Sequence, residues 1–479
     1  MNTNLKYCFA VFFSYMAFIY FTGIYYNDDL MRSTYGYFTW SGDGRPFADL
    51  FYHIFYIFGV TRIPDSFPAP VIATGLFFCA IFYQAIQNTV TLSPVKCAVI
   101  LFIFMGNPYL ISNLLFRYDS PFMILAMAFA FAPFACIKLR SLQRHIISVF
   151  CLVFSFGLYQ AAVNVFIGFS AIYAFSVYMK DRSARSYVSI LSQMVAYLVA
   201  AYIIYSQIVL RLTNISDYFR NFTHPIHLNH DGALSLIINI KKSLSIIEPA
   251  FSSGIFIPVV LLMIAVLVCL YIALYRDRSK FLPIAFLLSS AAVAFSSVGL
   301  SILSAEPALF ARTFMGFGVF LIYFPLLLSI FSANMKVSIA LTAILSISLA
   351  SIFFAGINAF KEEDRYQSAI ANRIISDLNH TEVMNYSKIA IINNIKPSPL
   401  AAVNISEYPV LKLTAPMNMN NMYDGARMTL LRNGFHDAFY VESKDLDVIN
   451  SKFPDVKAIV SNNLYDIFSI EETIVIVFK

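Results

Sequence analysis

Long apolar runs without charged residues recur through the first three quarters of this chain. A run of about 20 such residues crosses ~30 Å of hydrocarbon at ~1.5 Å per residue. The 479 residues are 59% hydrophobic and 13% charged, which is too apolar for a soluble domain. The candidate spans are approximately 7–25, 70–88, 98–112, 120–137, 187–210, 251–275, 281–303, 313–334 and 337–360.

The uncharged stretch 146–179 needs a separate interpretation. As one helix it would be ~50 Å long, which exceeds a single crossing even with tilt. Two short helices with a break near 157–160 fit better. The sequence therefore predicts an α-helical polytopic membrane protein with about eleven transmembrane helices.

The basic clusters between the spans predict the orientation. All of them fall on one side when 146–179 crosses twice, and by the positive-inside rule that side is cytoplasmic. The amino terminus is then cytoplasmic, and residues after about 360 are outside. The clusters consist of Lys138, Arg140, Arg144, Lys180, Arg182, Arg185, Arg276, Arg278, Lys280 and Lys336.

Residues 361–479 change in character, because polar residues become frequent and no further span follows. The patterning predicts helices at 361–378 and 425–432 and strands at 388–395, 438–441, 457–460 and 473–478. We therefore divide the chain into a membrane domain, 1–360, and a small soluble α/β domain, 361–479, outside the cytoplasm.

Charge and cysteine patterns exclude other classes of protein. The net charge of +6 is spread over short clusters rather than one basic face, so we expect no nucleic-acid partner. The six cysteines lie within or beside apolar runs without the paired spacing of a metal or redox site. His224, His227 and His230 in the predicted fourth outer loop have a spacing that zinc could use, but nothing else supports a metal there.

The first outer loop, 27–68, has the richest set of polar side chains. Asp28 and Asp29 follow the first span directly, where a carboxylate can serve as a general base beside a lipid-linked substrate. Arg32 and Arg45 can bind a phosphate, and Trp40 offers a flat face to a sugar ring. The alternative is that these residues mark the water interface, with Trp40 as an aromatic anchor.

Two further outer positions are candidates. Asp119 and Arg117 precede the fourth span, where they can join the first loop in an acid and phosphate site or form only a local ion pair. Arg312 begins the tenth span from outside and either binds phosphate or extends to the interface. Gln160 lies in apolar sequence, where an amide often joins helices.

The first loop resembles a known family. The run Tyr26-Asn27-Asp28-Asp29-Leu30-Met31-Arg32, followed by Gly36, Trp40 and Gly44-Arg45-Pro46, is similar to the first-loop signature of the serotype-converting O-antigen glucosyltransferases. These are bacterial and bacteriophage membrane proteins of the GT-C class. A looser similarity covers Asn107-Pro108, Arg117-Tyr118-Asp119-Ser120, Tyr159-Gln160 and the layout of spans followed by a soluble domain.

The resemblance implies an inverting, metal-independent transfer of glucose from undecaprenyl-phosphate-glucose to a lipopolysaccharide O-antigen repeat unit, which converts serotype. It implies Asp28 and Asp29 as the catalytic element, with Asp119 as a further acid, and Tyr159 and Gln160 as substrate contacts. No cofactor is expected. The implied location is the periplasmic face of the bacterial inner membrane. A companion flippase and a donor-synthesising glucosyltransferase are implied partners.

Three other functions are compatible with a polytopic membrane chain. Transporters and lipid flippases usually carry ionisable groups near the bilayer midplane, whereas the charges here concentrate in outer loops. An O-antigen polymerase would not be expected to carry the soluble domain. A phage-exclusion or structural protein would not need the acidic and basic elements of the first loop.

Overall fold

The structure is a computed structural model, and it describes residues 3–227, 229–277, 279–331, 334–381, 387–416, 418–419, 424–435, 439–441 and 456–479. Arg278, within a predicted basic cluster, lies outside these residues, and so does the first residue of the predicted strand 438–441. The chain forms two compact units. The first comprises Met1–Phe21, Phe38–Phe354 and Tyr408–Thr414, and the second comprises Thr22–Tyr37, Ala355–Glu407 and Ala415–Lys479.

The helices confirm a mostly helical, membrane-type chain. Among the described residues, six helical segments are long and apolar enough to cross a bilayer, and five shorter apolar helices of 10–17 residues accompany them. The count of eleven crossings stays a prediction. The α-helices in chain order are α1 (Lys6–Tyr20), α2 (Asp29–Tyr35), α3 (Pro46–Phe55), α4 (Ala69–Thr89), α5 (Pro94–Met105), α6 (Leu110–Leu115), α7 (Ser120–Ala135), α8 (Ser141–Leu158), α9 (Val163–Asp181), α10 (Ala184–Ile204), α11 (Asp217–Thr223), α12 (His230–Ala250), α13 (Phe256–Asp277), α14 (Leu282–Val298), α15 (Phe317–Ile330), α16 (Met335–Asn379), α17 (Pro399–Glu407) and α18 (Gly425–Arg432).

The predicted break in the stretch 146–179 is confirmed. Helix α8 ends at Leu158, and Tyr159 adopts extended backbone angles of φ −160° and ψ 105°. A 3-10 turn at Gln160–Ala162 then leads into α9. The break therefore places Tyr159 and Gln160 at the helix ends, where both side chains can face a loop.

The core of the first unit is rich in aromatic rings. Phe78 and Phe82 of α4 contact Phe104 of α5 and Phe131 of α7, with ring centroids 5.1 to 6.4 Å apart. Helices in lipid associate through close packing rather than through burial from water. Gly75 allows such packing, because a Cβ there would lie 2.0 Å from Cε1 of Phe12.

The segment predicted as the fourth outer loop contains a helix that sequence scanning missed. Asn229 caps α12 by accepting a hydrogen bond from the amide of Gly232 at 2.9 Å. Lys241, Lys242 and Glu248 interrupt the apolar pattern of α12, so a search for uncharged runs passes over it. A π-helical segment, Phe251–Ile255, joins α12 to α13.

The described residues of the second unit form a five-stranded mixed sheet. The order is β2-β1-β5-β4-β3; β1 is parallel to both β2 and β5, and the β5-β4 and β4-β3 pairs are antiparallel. Residue Val475 stands opposite Ala390 on one side and Phe468 on the other. The strands are β1 (Lys388–Ile392), β2 (Phe439–Tyr440), β3 (Val460–Ser461), β4 (Tyr465–Ile470) and β5 (Thr473–Phe478).

Most of the patterning predictions for this unit hold. The helix 425–432 and the strand 473–478 have their predicted bounds, and β1 is shorter than predicted. The helix predicted at 361–378 is the continuation of α16, which runs unbroken from the last predicted span. Strand β4 was not predicted, although its neighbour β5 was.

Apolar residues cover both faces of this sheet. Ile374 of α16 and Leu430 of α18 pack with Ile389 and Ile476 on one face. On the other face, Ala390 and Val475 pack with Phe468. The unit also includes Thr22–Tyr37, so the segment with the acidic pair belongs with the sheet rather than with the rest of the first loop.

Candidate active site

A tight turn in the first unit presents Trp40 and Arg45. The amides of Asp43 and Arg45 both donate to the carbonyl of Trp40, at 3.0 and 2.9 Å. Gly44 has a φ of +69°, and a Cβ at this residue would lie 2.5 Å from the ring of Phe219. Pro46 then starts α3 with a φ suited to its first turn. This local geometry explains the Gly44-Arg45-Pro46 sequence.

Asp119 lies buried beside that turn. The indole Nε1 of Trp40 donates a hydrogen bond to Oδ1 of Asp119 at 2.9 Å, and a guanidinium nitrogen of Arg45 lies 3.8 Å from Oδ2. Trp40 itself is 1% exposed, stacked on Tyr52 with centroids 5.2 Å apart. In this conformation the tryptophan holds the carboxylate, and the carboxylate orients Arg45.

Tyr159 contacts both Arg45 and Arg312. The guanidinium carbon of Arg45 lies 4.8 Å from the Tyr159 ring centroid, a cation–π distance. The Tyr159 hydroxyl donates to the carbonyl of Arg312 at 3.2 Å. Burial raises the pKa of Tyr159, and the charges of Arg312 and Arg45 oppose that shift. The hydroxyl therefore stays a proton donor at neutral pH.

Arg312 is held by aromatic rings and by its own backbone. Its guanidinium carbon lies 5.3 Å from the ring of Phe310 and 5.5 Å from that of Phe116. Asn113 donates from its side-chain amide to the Arg312 carbonyl at 3.0 Å. A second cation is thus fixed near the same tyrosine as Arg45.

Gln160 connects the turn at Gly44 to Tyr205. Its amide nitrogen donates to the carbonyl of Gly44 at 3.0 Å and to the hydroxyl of Tyr205 at 2.9 Å. Tyr205 donates to the same Gly44 carbonyl at 2.8 Å. The helix-joining role expected for this amide is present in its bond to Tyr205, and the same amide binds the loop that carries Arg45.

Some buried polar atoms in this region have no hydrogen-bond partner among the described residues. Within the described ranges, Nε of Arg45, Oδ1 of Asn113 and Oγ of Ser120 are buried and have no hydrogen-bond partner. Buried polar groups in native proteins are nearly always paired with protein, water or ligand. We call Trp40, Arg45, Asp119, Tyr159 and Arg312 the outer-loop cluster, and its chemistry suits an anionic, polar ligand.

Arg117, two residues before Asp119, pairs with a carboxylate of the first loop. It forms an ion pair with Asp65 at 3.0 Å, and its guanidinium stacks over the ring of Phe67 at 5.6 Å. The first loop therefore contacts the residues that lead into α7 through the ion pair between Asp65 and Arg117. Sequence reasoning did not select Asp65.

Asp28, Asp29 and Arg32 belong to the second unit. Asp29 is 1% exposed, and its Oδ2 accepts a hydrogen bond from the amide of Tyr26 at 3.0 Å. Asp28 precedes α2, is exposed and makes no side-chain capping hydrogen bond. Arg32 donates to the carbonyl of Tyr37 at 2.9 Å and stacks on its ring. The two acids thus have different surroundings.

Sequence reasoning missed several residues that support the outer-loop cluster. Asn113, Tyr52 and Tyr205 support it through hydrogen bonds, yet each lies in apolar sequence where an amide or tyrosine gives no distinct signal. Throughout the described ranges, no group of three or more histidine, cysteine, aspartate or glutamate side chains could hold a metal ion.

Comparison with known proteins identifies the family. The family described as "Glucosyl transferase GtrII" matches residues 16–327. A protein of Salmonella phage P22, named "Uncharacterized 55.3 kDa protein in gtrB 5'region", is 26% identical over 469 residues, which is 95% of this chain and 94% of that protein. No solved structure matches the chain. This chain belongs to the GtrII glucosyltransferase family.

Proposed function

We propose that this protein moves glucose from undecaprenyl-phosphate-glucose to an O-antigen repeat unit on the periplasmic face of the inner membrane, with inversion at the anomeric carbon. Family membership supplies glucosyl transfer. The observation that carries the rest is the outer-loop cluster, in which Arg45 lies beside the buried Asp119 carboxylate and over the ring of Tyr159, whose hydroxyl contacts the backbone of Arg312.

The position of the cluster along the helices supports an external site. It gathers the start of α7, the junction of α8 and α9, and the residues that lead into α15. The described basic residues Lys138, Lys180 and Lys336 lie at or near the opposite ends of such helices. By the positive-inside rule, those ends face the cytoplasm and the cluster faces the periplasm.

The chemistry fits a monophosphate leaving group. As the glycosidic bond breaks, negative charge grows on the phosphate, and guanidinium groups stabilise such charge through charge-assisted hydrogen bonds. Arg45 and Arg312 supply two of these groups. Asp119 keeps Arg45 in place. The acceptor hydroxyl must lose a proton, and we propose the exposed carboxylate of Asp28 as the base that accepts it.

The direct test compares O-antigen from cells with and without the gene by mass spectrometry and linkage analysis. We expect one additional hexose per repeat unit, identified as glucose, only when the gene is present together with its donor-synthesising and flippase partners. A different added sugar would correct the donor. Unchanged O-antigen, with the protein present in the membrane, would contradict the proposal.

Reporter fusions test the topology. A phosphatase fused after Lys479 is expected to be active, and a reporter that fluoresces only in the cytoplasm is expected to stay dark at the same position. The reason is that all the basic clusters fall on one side of the predicted spans, which the positive-inside rule makes cytoplasmic, and Lys479 falls on the other side. The opposite pair of results would place Asp28 on the wrong side for the proposed acceptor.

Chelation tests the metal requirement. We expect transfer by membrane fractions to continue in EDTA, since a monophosphate carries less charge than a diphosphate and arginines can neutralise it. Activity that is lost in EDTA and restored by Mg²⁺ or Mn²⁺ would contradict this and would make Asp28 and Asp29 candidate metal ligands.

A further inference from the structure

The helix that follows Asp28 is too short to be stable by itself. Helix α2 has seven residues, and isolated helices of that length are not stable in water. Its orientation, and with it the direction of the Asp28 carboxylate, therefore depends on what it packs against. In the second unit, α2 packs against α18.

One arginine of α18 reaches the far end of α2. Arg427 is 8% exposed and donates to the Tyr35 hydroxyl at 3.2 Å. Its guanidinium is fixed by Asp424, which accepts from Nε at 2.7 Å and from a terminal nitrogen as well. Such a bidentate contact restricts the orientation of the guanidinium. Tyr35, the last residue of α2, thus meets a rigid partner.

The residues that precede α2 also contact the part of the second unit around α18. The side-chain amide of Asn418 donates to the carbonyl of Tyr25 at 3.1 Å. Arg432 of α18 lies over the Tyr25 ring at 5.2 Å and forms an ion pair with Asp364 at 2.9 Å. Asp28 lies between Tyr25 and Tyr35, so contacts on both sides fix the segment that carries it.

We propose that Arg427 is a positioning residue for the transfer, acting through Tyr35 to fix α2 and, with it, Asp28 at its amino-terminal end. The inference rests on the proposed function, because it takes Asp28 as the base. It gives the carboxy-terminal part of the chain a role in catalysis: it supplies the surface on which the acid-bearing segment is ordered. A misplacement of about 1 Å at a reacting group can cost about 10²-fold in rate.

Three variants in membrane fractions test this inference, with kcat, the donor KM and the protein level measured for each. Arg427→Gln is expected to lower kcat about 10- to 100-fold with little change in donor KM. Tyr35→Phe removes one hydroxyl and should lower kcat by less. Arg427→Lys keeps the charge without the planar fork, so it should fall between the wild type and Arg427→Gln.

Arg365→Gln is the matched control. Arg365 also belongs to the second unit, but its side chain is 65% exposed and pairs with Glu362 at the surface, so wild-type kinetics are expected. Wild-type kcat in Arg427→Gln would overturn the inference, as would a fall that only follows the amount of folded protein. If Asp28→Asn is itself fully active, the assignment of the base has failed instead, independently of the Arg427 result.

Discussion

Asp28→Asn is expected to lower glucosyl transfer about 10²- to 10⁴-fold, the usual loss when a general base is removed. Asparagine keeps the size and most of the hydrogen bonding of aspartate, so α2 should form and the protein level should stay normal. The measurement is the initial rate of sugar transfer to O-antigen by membrane fractions, normalised to the amount of protein. Donor binding should survive.

Asp29→Asn is the neighbouring comparison. Asp29 is buried, and its carboxylate accepts the amide of Tyr26, a contact that an asparagine oxygen can still make. We therefore expect a smaller loss than for Asp28→Asn. If both variants keep wild-type O-antigen modification at normal expression, the acidic pair only marks the interface, and Asp119 becomes the next candidate for the catalytic carboxylate.

Arg45→Lys is expected to lower kcat/KM for the lipid-linked donor by about 10²-fold. Lysine keeps the charge beside Asp119 but cannot supply a planar fork that bonds phosphate while stacking on Tyr159. Loss of one charge-stabilising donor in a preorganised site typically costs about 10²- to 10³-fold. The same membrane assay, with the donor concentration varied, gives this value.

Arg62→Lys is the control for Arg45→Lys. Arg62 lies in the same predicted loop but is exposed, so its replacement should leave the kinetics unchanged. An Arg45→Lys variant with wild-type kcat/KM would show that the outer-loop cluster does not contact the donor. Removing the charge with Arg45→Gln is a poorer test, because it leaves the Asp119 carboxylate buried without its cation, which destabilises the fold.

Local and periodic features were accessible from the sequence. Apolar runs of membrane length predicted a helical membrane chain, since a bilayer excludes charged side chains whatever the fold. The length of the stretch 146–179 predicted its break, which places Tyr159 and Gln160 at helix ends. The first-loop motif predicted a glucosyltransferase, which the family match confirms.

Long-range pairing was decided only by the tertiary structure. Trp40 and Asp119 are 79 residues apart, and nothing in either local sequence indicates their hydrogen bond. The sequence allowed a local ion pair between Arg117 and Asp119 as an alternative, whereas packing brings Asp65 to Arg117 and Arg45 to Asp119. A charged side chain is satisfied by whichever partner the fold brings near, so residue type alone does not specify its role.

The surroundings of the acidic pair show this division most clearly. The sequence determined that two adjacent carboxylates follow the first span. Only the tertiary structure decided that Asp29 is buried against a backbone amide while Asp28 is exposed, and that α2 rests on α18. A seven-residue helix takes its orientation from its packing partner, and here that partner lies almost 400 residues further along the chain.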